Sequence, residues 1–136
     1  MTSIPLYRSA DLRHIEATAA DQPLMQRAGR AAADLATAIC ADRGASVLIL
    51  AGPGNNGGDA FEVAALLRER FFDTHVVFVG PANDLPMDAA DAFRRFVDTG
   101  GSTLPAIPVR LRWSLIVDGL FGIGLTREIG DPYAGL

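Results

Sequence analysis

The chain has 136 residues, of which 49% are hydrophobic and 21% charged, a composition typical of one globular domain. Its formal net charge of −4 argues against a protein that binds nucleic acid by neutralising phosphates. All basic residues are arginines, which excludes Schiff-base lysine chemistry and the lysine of an ATP-binding phosphate loop. Cys40 is the one cysteine, and no apolar run is long enough for a membrane span, so we expect a cytoplasmic protein without a membrane partner.

Two helices are predicted before the first strand. Ser9 is predicted to cap a helix that begins near Ala10, and Pro23 to open a second helix that Gly44 ends. The second helix carries an apolar stripe at the helical period, which we expect to face the core. The stripe consists of Leu24, Ala28, Ala31, Leu35 and Ile39.

Strands and helices alternate in the rest of the chain. Buried strands are predicted at 47–51, 74–79 and 114–117, because these segments lack polar alternation. Helices are predicted at 61–71 and 87–97, with Phe71 and Val97 on their inward faces, and 105–108 is irregular or a short edge strand. Alternation of this kind predicts a parallel sheet with helices on both faces.

The run Gly-Pro-Gly-Asn-Asn-Gly-Gly-Asp at 52–59 lies between a predicted strand and a predicted helix. A glycine-rich turn at a helix start exposes backbone N–H groups that suit phosphate. A tight turn needs only one or two such residues, so the run indicates more than a turn. The side-chain oxygens of Asn55 and Asn56 suit a hard cation, and we expect the helix field to hold Asp59 ionised.

A second polar segment follows the strand at 114–117. Asp118 is either a turn former or a carboxylate at the ligand-binding edge of the sheet, and the sequence leaves both open. Gly122, Ile123 and Gly124 offer further backbone N–H groups, and Arg127 offers a phosphate partner.

The spacing Gly52-x-Gly54-x-x-Gly57 also matches the dinucleotide-binding fingerprint of NAD-dependent oxidoreductases. That fingerprint requires an acidic residue at the end of the second strand, and here the strand is followed by Gly80 and Pro81, with Asp84 only further along. An NAD(P)-binding oxidoreductase domain is therefore an alternative that lacks its confirming residue.

Three motifs in order resemble the NAD(P)H-hydrate epimerase family, the YjeF N-terminal domain family. They are the run at 52–59, the segment Leu-Met-Gln-Arg-Ala-Gly at 24–29, and the segment Val-Asp-Gly-Leu-Phe-Gly-Ile-Gly-Leu-Thr-Arg at 117–127. The resemblance implies one domain over 1–136 with a three-layer α/β/α Rossmann-like sandwich and a mainly parallel sheet. It also implies epimerisation of the R and S hydrates of NADH and NADPH with a bound potassium ion.

The resemblance implies roles for individual residues. Asn56 and Asp118 would be the potassium ligands, and Asp59 is the candidate acid–base catalyst. The remaining positions would bind the hydrated nucleotide. These substrate-binding residues are Asn55, Asn56, Gly57, Gly58, Asp59, Gly122, Ile123, Gly124, Leu125, Thr126, Arg127 and Glu128.

The sequence departs from the family pattern in three places. Ala60 stands where the family usually has glycine, and Gly119 and Ile123 replace the more usual alanine and threonine. The family also continues into a strand ending in Asp-x-Pro-Ser-Gly, which supplies an acidic residue and a serine ligand for potassium. That segment is absent here, so we expect a domain that is incomplete at its C-terminal end and a chain that is inactive in isolation.

The function predicted from the sequence is therefore nicotinamide nucleotide repair by an epimerase. A non-catalytic nucleotide-binding or protein-interaction module is the other alternative, since a fold does not determine an activity. We expect a homodimer through apolar residues of the first two helices, including Leu12, Ile15, Leu24 and Met25. A fused or separate dehydratase domain is the other expected partner.

Overall fold

The computed structural model describes residues 5–40, 42 and 44–136. The described residues form four helices and four strands. The helices are α1 (Ser9–Thr18), α2 (Leu24–Ile39), α3 (Asn55–Glu69) and α4 (Met87–Asp98). The strands are β1 (Ser46–Ala51), β2 (Asp73–Val77), β3 (Thr103–Leu104) and β4 (Leu115–Gly119). Short 3-10 turns occur at Ala82–Asp84 and Tyr133–Gly135.

The strands form one sheet in the order β3-β2-β1-β4, and every pair is parallel. Val47 lies opposite Thr74 on one side and Leu115 on the other. The parallel sheet and the Rossmann-like α/β fold class predicted from the sequence are thus confirmed. The short edge strand lies at Thr103–Leu104, just before the segment predicted for it.

Helix α3 is the centre of the core. It lies against β1, β2 and β4 and packs between α2 and α4. Almost every side of it is covered, which explains its long series of small and apolar residues. Phe61, which is fully buried, contacts the rings of Phe78, Phe93 and Phe96 at centroid distances of 5.0–6.0 Å.

The predicted inward stripe of α2 was on the wrong face. The buried residues of this helix are Gly29, Ala33 and Ala36, whereas Leu35 and Ile39 are 62% and 58% exposed. Small residues form the contact because α2 approaches α3 closely: a methyl group at Gly29 would lie 2.3 Å from Cβ of Glu62. Apolar surface on α2 therefore remains uncovered in this chain.

Two further predictions about burial were also wrong. Phe71 is 82% exposed, because α3 ends at Glu69 and Phe71 takes a left-handed conformation with φ of 68°. Val97, near the end of α4, is 44% exposed. The predicted cap of α1 differs as well, since the helix already includes Ser9 and the backbone N–H of Arg8 donates to the Asp11 carboxylate at 3.1 Å.

Strand β4 is less buried than the sequence predicted. It pairs only with β1 within the described residues, so it is an edge strand. Leu115 and Val117 pack against the core, whereas Ile116 and Asp118 are exposed. The connection 105–114 contains neither helix nor strand, and the ring of Trp113 meets that of His75 at 5.2 Å.

The strand order places a topological switch between β1 and β4. From β1 the chain proceeds through β2 to β3 on one side, and it then returns to the other side of β1. Ligands of open parallel sheets bind in the crevice beyond the carboxyl ends of the strands at such a switch. None of the helices in the described part of the chain is long and apolar enough to span a membrane.

Candidate functional site

A cleft of about 620 Å³ opens beyond the carboxyl ends of β1 and β4. One wall is the segment 53–56 together with Asp59, at the start of α3. A second wall is the loop 120–127, which follows β4. The cleft therefore lies at the topological switch of the sheet, between the two segments that the sequence had marked as polar.

The start of α3 explains how the asparagines reach this cleft. Gly54 is the N-cap, so Asn55 and Asn56 occupy the first helical positions, and no side chain caps their N–H groups. The Oδ1 atom of Asn56 lies 3.3 Å from the place that a methyl group at Gly122 would take. Asn56 thus touches the opposite wall of the cleft with its amide group.

Gly57 and Gly58 were predicted to bind substrate, but neither lines the cleft. Both lie inside α3 and are buried. A methyl group at Gly57 would be 1.9 Å from the Gly52 carbonyl oxygen, and one at Gly58 would be 2.6 Å from the Met25 side chain. These two glycines allow the helix start to pack tightly against its neighbours, and through that packing they position Asn55 and Asn56.

Most of the predicted substrate-binding residues at 122–128 lie in the second wall of the cleft. Seven residues of this segment, 122–128, were predicted substrate contacts, and six of them line the cleft: Gly122, Ile123, Gly124, Leu125, Thr126 and Arg127. Glu128 is exposed and lies outside the lining. A hydrogen bond from the Leu125 N–H to the Gly122 carbonyl closes a turn at 122–125.

Asp118 lies at the same edge of the sheet but does not line the cleft. It pairs with Leu50, one residue before the end of β1, and its side chain is exposed. Its Oδ1 atom accepts a hydrogen bond from the Leu120 N–H at 3.0 Å, so the carboxylate shapes the turn out of β4. The turn-former interpretation is therefore observed, and the potassium ligand role of Asp118 stays a prediction.

Asp59 stands where two cavities meet. It lines the cleft and also an adjoining polar cavity of about 460 Å³, which Glu16, Asp88, Asp91 and Arg95 line as well. Burial, and then the charges of Glu62 and Glu16, raise the pKa of Asp59 from 3.8 to about 6. The sequence predicted the opposite direction from the helix field, but Asp59 is the fifth residue of α3, and the field falls off within the first turn.

An ion pair between the buried Glu62 and the partly exposed Arg95 lies next to Asp59 and was not predicted. Glu62 is 5% exposed, and Nε of Arg95 donates to its Oε1 at 2.8 Å across the α3–α4 contact. Asp59 and Glu62 are three residues apart on one helix, so their side chains are neighbours. Arg95 lies 33 residues from Glu62 in the sequence, so no local sequence pattern indicates this ion pair.

Two charged residues of α1 also line the cleft and were missed. Arg13 and Glu16 lie three positions apart on the same helix face, so both reach the cleft. No motif marked either residue in the sequence; in the structure α1 contains no buried residue, and its charged residues Arg13 and Glu16 line the cleft.

Comparison with known proteins identifies the family of this chain. The family model described as YjeF-related protein N-terminus matches residues 21–136. The chain belongs to this family. A Bordetella bronchiseptica protein named NAD(P)H-hydrate epimerase is 48% identical over 114 residues, which cover 83% of this chain and 49% of the relative.

Two other relatives extend the comparison. An Achromobacter xylosoxidans protein of the same name is 42% identical, over 97% of this chain and 64% of its own length. A Gloeobacter violaceus protein named bifunctional NAD(P)H-hydrate repair enzyme Nnr is 38% identical, over 96% of this chain and 27% of its own length. The chain thus spans about half the length of the Bordetella relative it matches.

Proposed function

We propose that this protein epimerises the R and S hydrates of NADH and NADPH. The observation that carries the proposal is the cleft at the topological switch, where the asparagines of the α3 start face the loop 120–127. The cleft has the position, size and mixed polar lining expected of a nucleotide site. The family relatives named NAD(P)H-hydrate epimerase support the choice of substrate.

Asp59 is the acid–base group in this proposal. As an acid it gives a proton to the hydroxyl of the hydrated ring while that C–O bond breaks. As a carboxylate it then takes a proton from the water oxygen that re-forms the bond on the other face of the ring. The substrate and product have the same composition, and a pKa of about 6 allows both protonation states near neutral pH.

A potassium ion is the proposed cofactor, with Asn56 and Asp118 as its protein ligands. No group of three His, Cys, Asp or Glu side chains suited to a metal occurs among the described residues, so the ion would depend on neutral oxygens as well. The Asn56 amide oxygen at the cleft wall is a neutral hard donor, and the exposed Asp118 carboxylate is a charged one. When bound, the ion would supply a fixed positive charge beside the nucleotide.

The deciding experiment follows the slow epimer of the hydrate. Hydrated NADH is incubated with a dehydratase that consumes one epimer only, and the formation of NADH is recorded at its absorbance band. Addition of the whole protein should convert the remaining epimer to NADH. If the wild-type protein binds the nucleotide but never accelerates this phase, the enzymatic proposal is replaced by a nucleotide-binding module.

Potassium is tested with the same assay. Asp118→Ala should raise the potassium concentration needed for half-maximal rate by at least about tenfold, because a charged ligand is lost. Ile116→Ala, which changes the other exposed residue on this face of β4, is the matched control. A rate that is independent of potassium in the wild type would contradict the cofactor assignment.

We also propose a cytoplasmic homodimer. The apolar residues of α1 and α2 that stay exposed would form the contact, including Ile15, Leu35 and Ile39 at 45%, 62% and 58% exposure. Cys40 is free and buried, as suits a reducing compartment. The bifunctional relative makes a fused or separate dehydratase domain the expected second partner. Light scattering that gives a monomer at micromolar concentration would contradict the dimer.

A further inference from the structure

Helix α1 contributes a cationic side chain to the cleft that nothing in the motifs indicated. Arg13 and Arg127 are the only cationic side chains that line the cleft within the described residues. They come from two different elements, one from the helix at the start of the chain and one from the loop after β4. Two guanidinium groups therefore meet one cleft from separate parts of the fold.

Both arginines are free to bind a ligand. Four ion pairs occur in the described part of the chain, and neither Arg13 nor Arg127 takes part in any of them. Other arginines of this protein are used internally, such as Arg70 with Asp34 and Arg95 with Glu62. Guanidinium groups that line a cleft without a carboxylate partner suit an external anion, and they bind phosphate oxygens in pairs of parallel hydrogen bonds.

The other groups of the cleft narrow the choice of anion. Glu16 and Asp59 also line it, so a small anion would meet carboxylates as well as arginines. The first turn of α3 presents N–H groups that no side chain caps. An anion that extends over several oxygens can reach both arginines and this helix start at once, and an organic diphosphate has that form.

We propose that Arg13 binds the diphosphate of the dinucleotide together with Arg127, so that α1 forms the third wall of the site. The inference rests on the proposed function, because it assumes a nucleotide in this cleft. It assigns a substrate-binding role to a helix that lies outside the motifs at 24–29, 52–59 and 117–127. It would give a function to a helix that contains no buried residue.

The test measures binding by calorimetry on the whole protein with three probes. Inorganic pyrophosphate and NAD⁺ carry the diphosphate, and adenosine does not. Arg13→Met should weaken pyrophosphate and NAD⁺ binding by about tenfold or more and leave adenosine unchanged, because a charged hydrogen-bond pair is lost. Arg13→Lys should recover part of the loss, since it restores the charge without the fork.

Arg8→Met is the matched control. Arg8 precedes the same helix, its side chain does not line the cleft, and its backbone bond to Asp11 does not depend on the side chain. The control should bind all three probes like the wild type. Because α1 has no buried residue, Arg13→Met should also unfold at the wild-type temperature, which separates lost binding from lost folding.

The outcomes separate this inference from the proposed function. Equal pyrophosphate binding by the wild type and Arg13→Met overturns the inference, even if the protein epimerises the hydrates. Failure of the wild type to bind either diphosphate probe overturns it too. Binding that depends on Arg13 in a protein without epimerase activity supports the inference and rejects the enzymatic function.

Discussion

Asp59→Asn should stabilise the folded protein at neutral and alkaline pH while it abolishes the proposed reaction. Burial and the charges of Glu62 and Glu16 raise the pKa of Asp59 from 3.8 to about 6. The folded state therefore holds the charged carboxylate less favourably than the unfolded chain does. Asparagine keeps the shape of the side chain without its charge, so the substitution removes this unfavourable contribution.

The expected gain in folding free energy follows from the size of the Asp59 pKa shift. A rise of roughly two pKa units corresponds to about 3 kcal/mol of folding free energy once the pH is well above the folded value. Asp59 is only partly buried and faces the cleft, where solvent screens its charge, so about 1–2 kcal/mol is the expected gain. As the pH falls from about 6 to about 4, the folded state takes up the proton first, and the gain disappears.

Thermal unfolding at about pH 8 and about pH 4 measures this difference, because a gain of about 1 kcal/mol shifts the midpoint of a domain of this size by several degrees. Asp84→Asn is the control: it removes one exposed carboxylate, gives the same net charge, and should not change the midpoint. A midpoint for Asp59→Asn that rises equally at both pH values, or does not rise at all, would show that the charge of Asp59 is not disfavoured in the folded state.

The same variant tests the catalytic role. Losing an acid–base group costs about a hundredfold to ten-thousandfold in rate, so epimerisation by Asp59→Asn should fall by at least two orders of magnitude. Nucleotide binding should survive, because the arginines and the helix start are unchanged. A wild-type rate in the stabilised variant would leave Asp59 as a binding residue only.

Three substitutions elsewhere test the packing. Thr74→Val should add about 1 kcal/mol to the free energy of unfolding in urea, since the buried Oγ1 of Thr74 has no partner among the described residues; an unchanged value would mean that a water binds it. Phe71→Gly should add about 1 kcal/mol by relieving the left-handed conformation, whereas Phe71→Ala should not. Gly119→Ala should destabilise the fold by about 1–3 kcal/mol through a clash with Ala60, and adding Ala60→Gly should restore part of that loss, because the backbone oxygens of Asn56 and Leu50 still lie 3.0 and 3.1 Å from the added methyl group. Independent effects in this pair would contradict the contact.

The edge of the sheet that forms the site could be predicted from the sequence because the responsible signals are local. Strands without polar alternation indicate a parallel sheet, and the polar residues that follow β1 and β4 must then meet at its carboxyl edge. Asn55, Asn56 and the loop 122–127 lie where this reasoning placed them, in one cleft. Their order along the chain was enough to predict this position, because the start of α3 follows β1 and the loop 122–127 follows β4.

Properties that depend on distant contacts could not be predicted in this way. The direction of the Asp59 pKa shift depends on desolvation and on Glu16, which belongs to another helix. The inward face of α2 was assigned from its larger apolar residues, but the observed contact uses Gly29, Ala33 and Ala36. An apolar period identifies a helix, yet it does not show which face is covered when small residues allow the closest approach.

The contact between Ala60 and Gly119 shows how distant packing also changes the interpretation of a motif. By the resemblance stated above, glycine is the more usual residue at position 60 and alanine at position 119, so the sequence alone presents these as two separate departures. In the structure a methyl group at Gly119 would lie 2.5 Å from Cβ of Ala60 and 3.0 Å from the Asn56 carbonyl oxygen, so it does not fit beside the Ala60 methyl group. Glycine at position 119 therefore lets α3 with its Ala60 methyl group pack closely against β4, next to the start of the helix that forms one wall of the cleft.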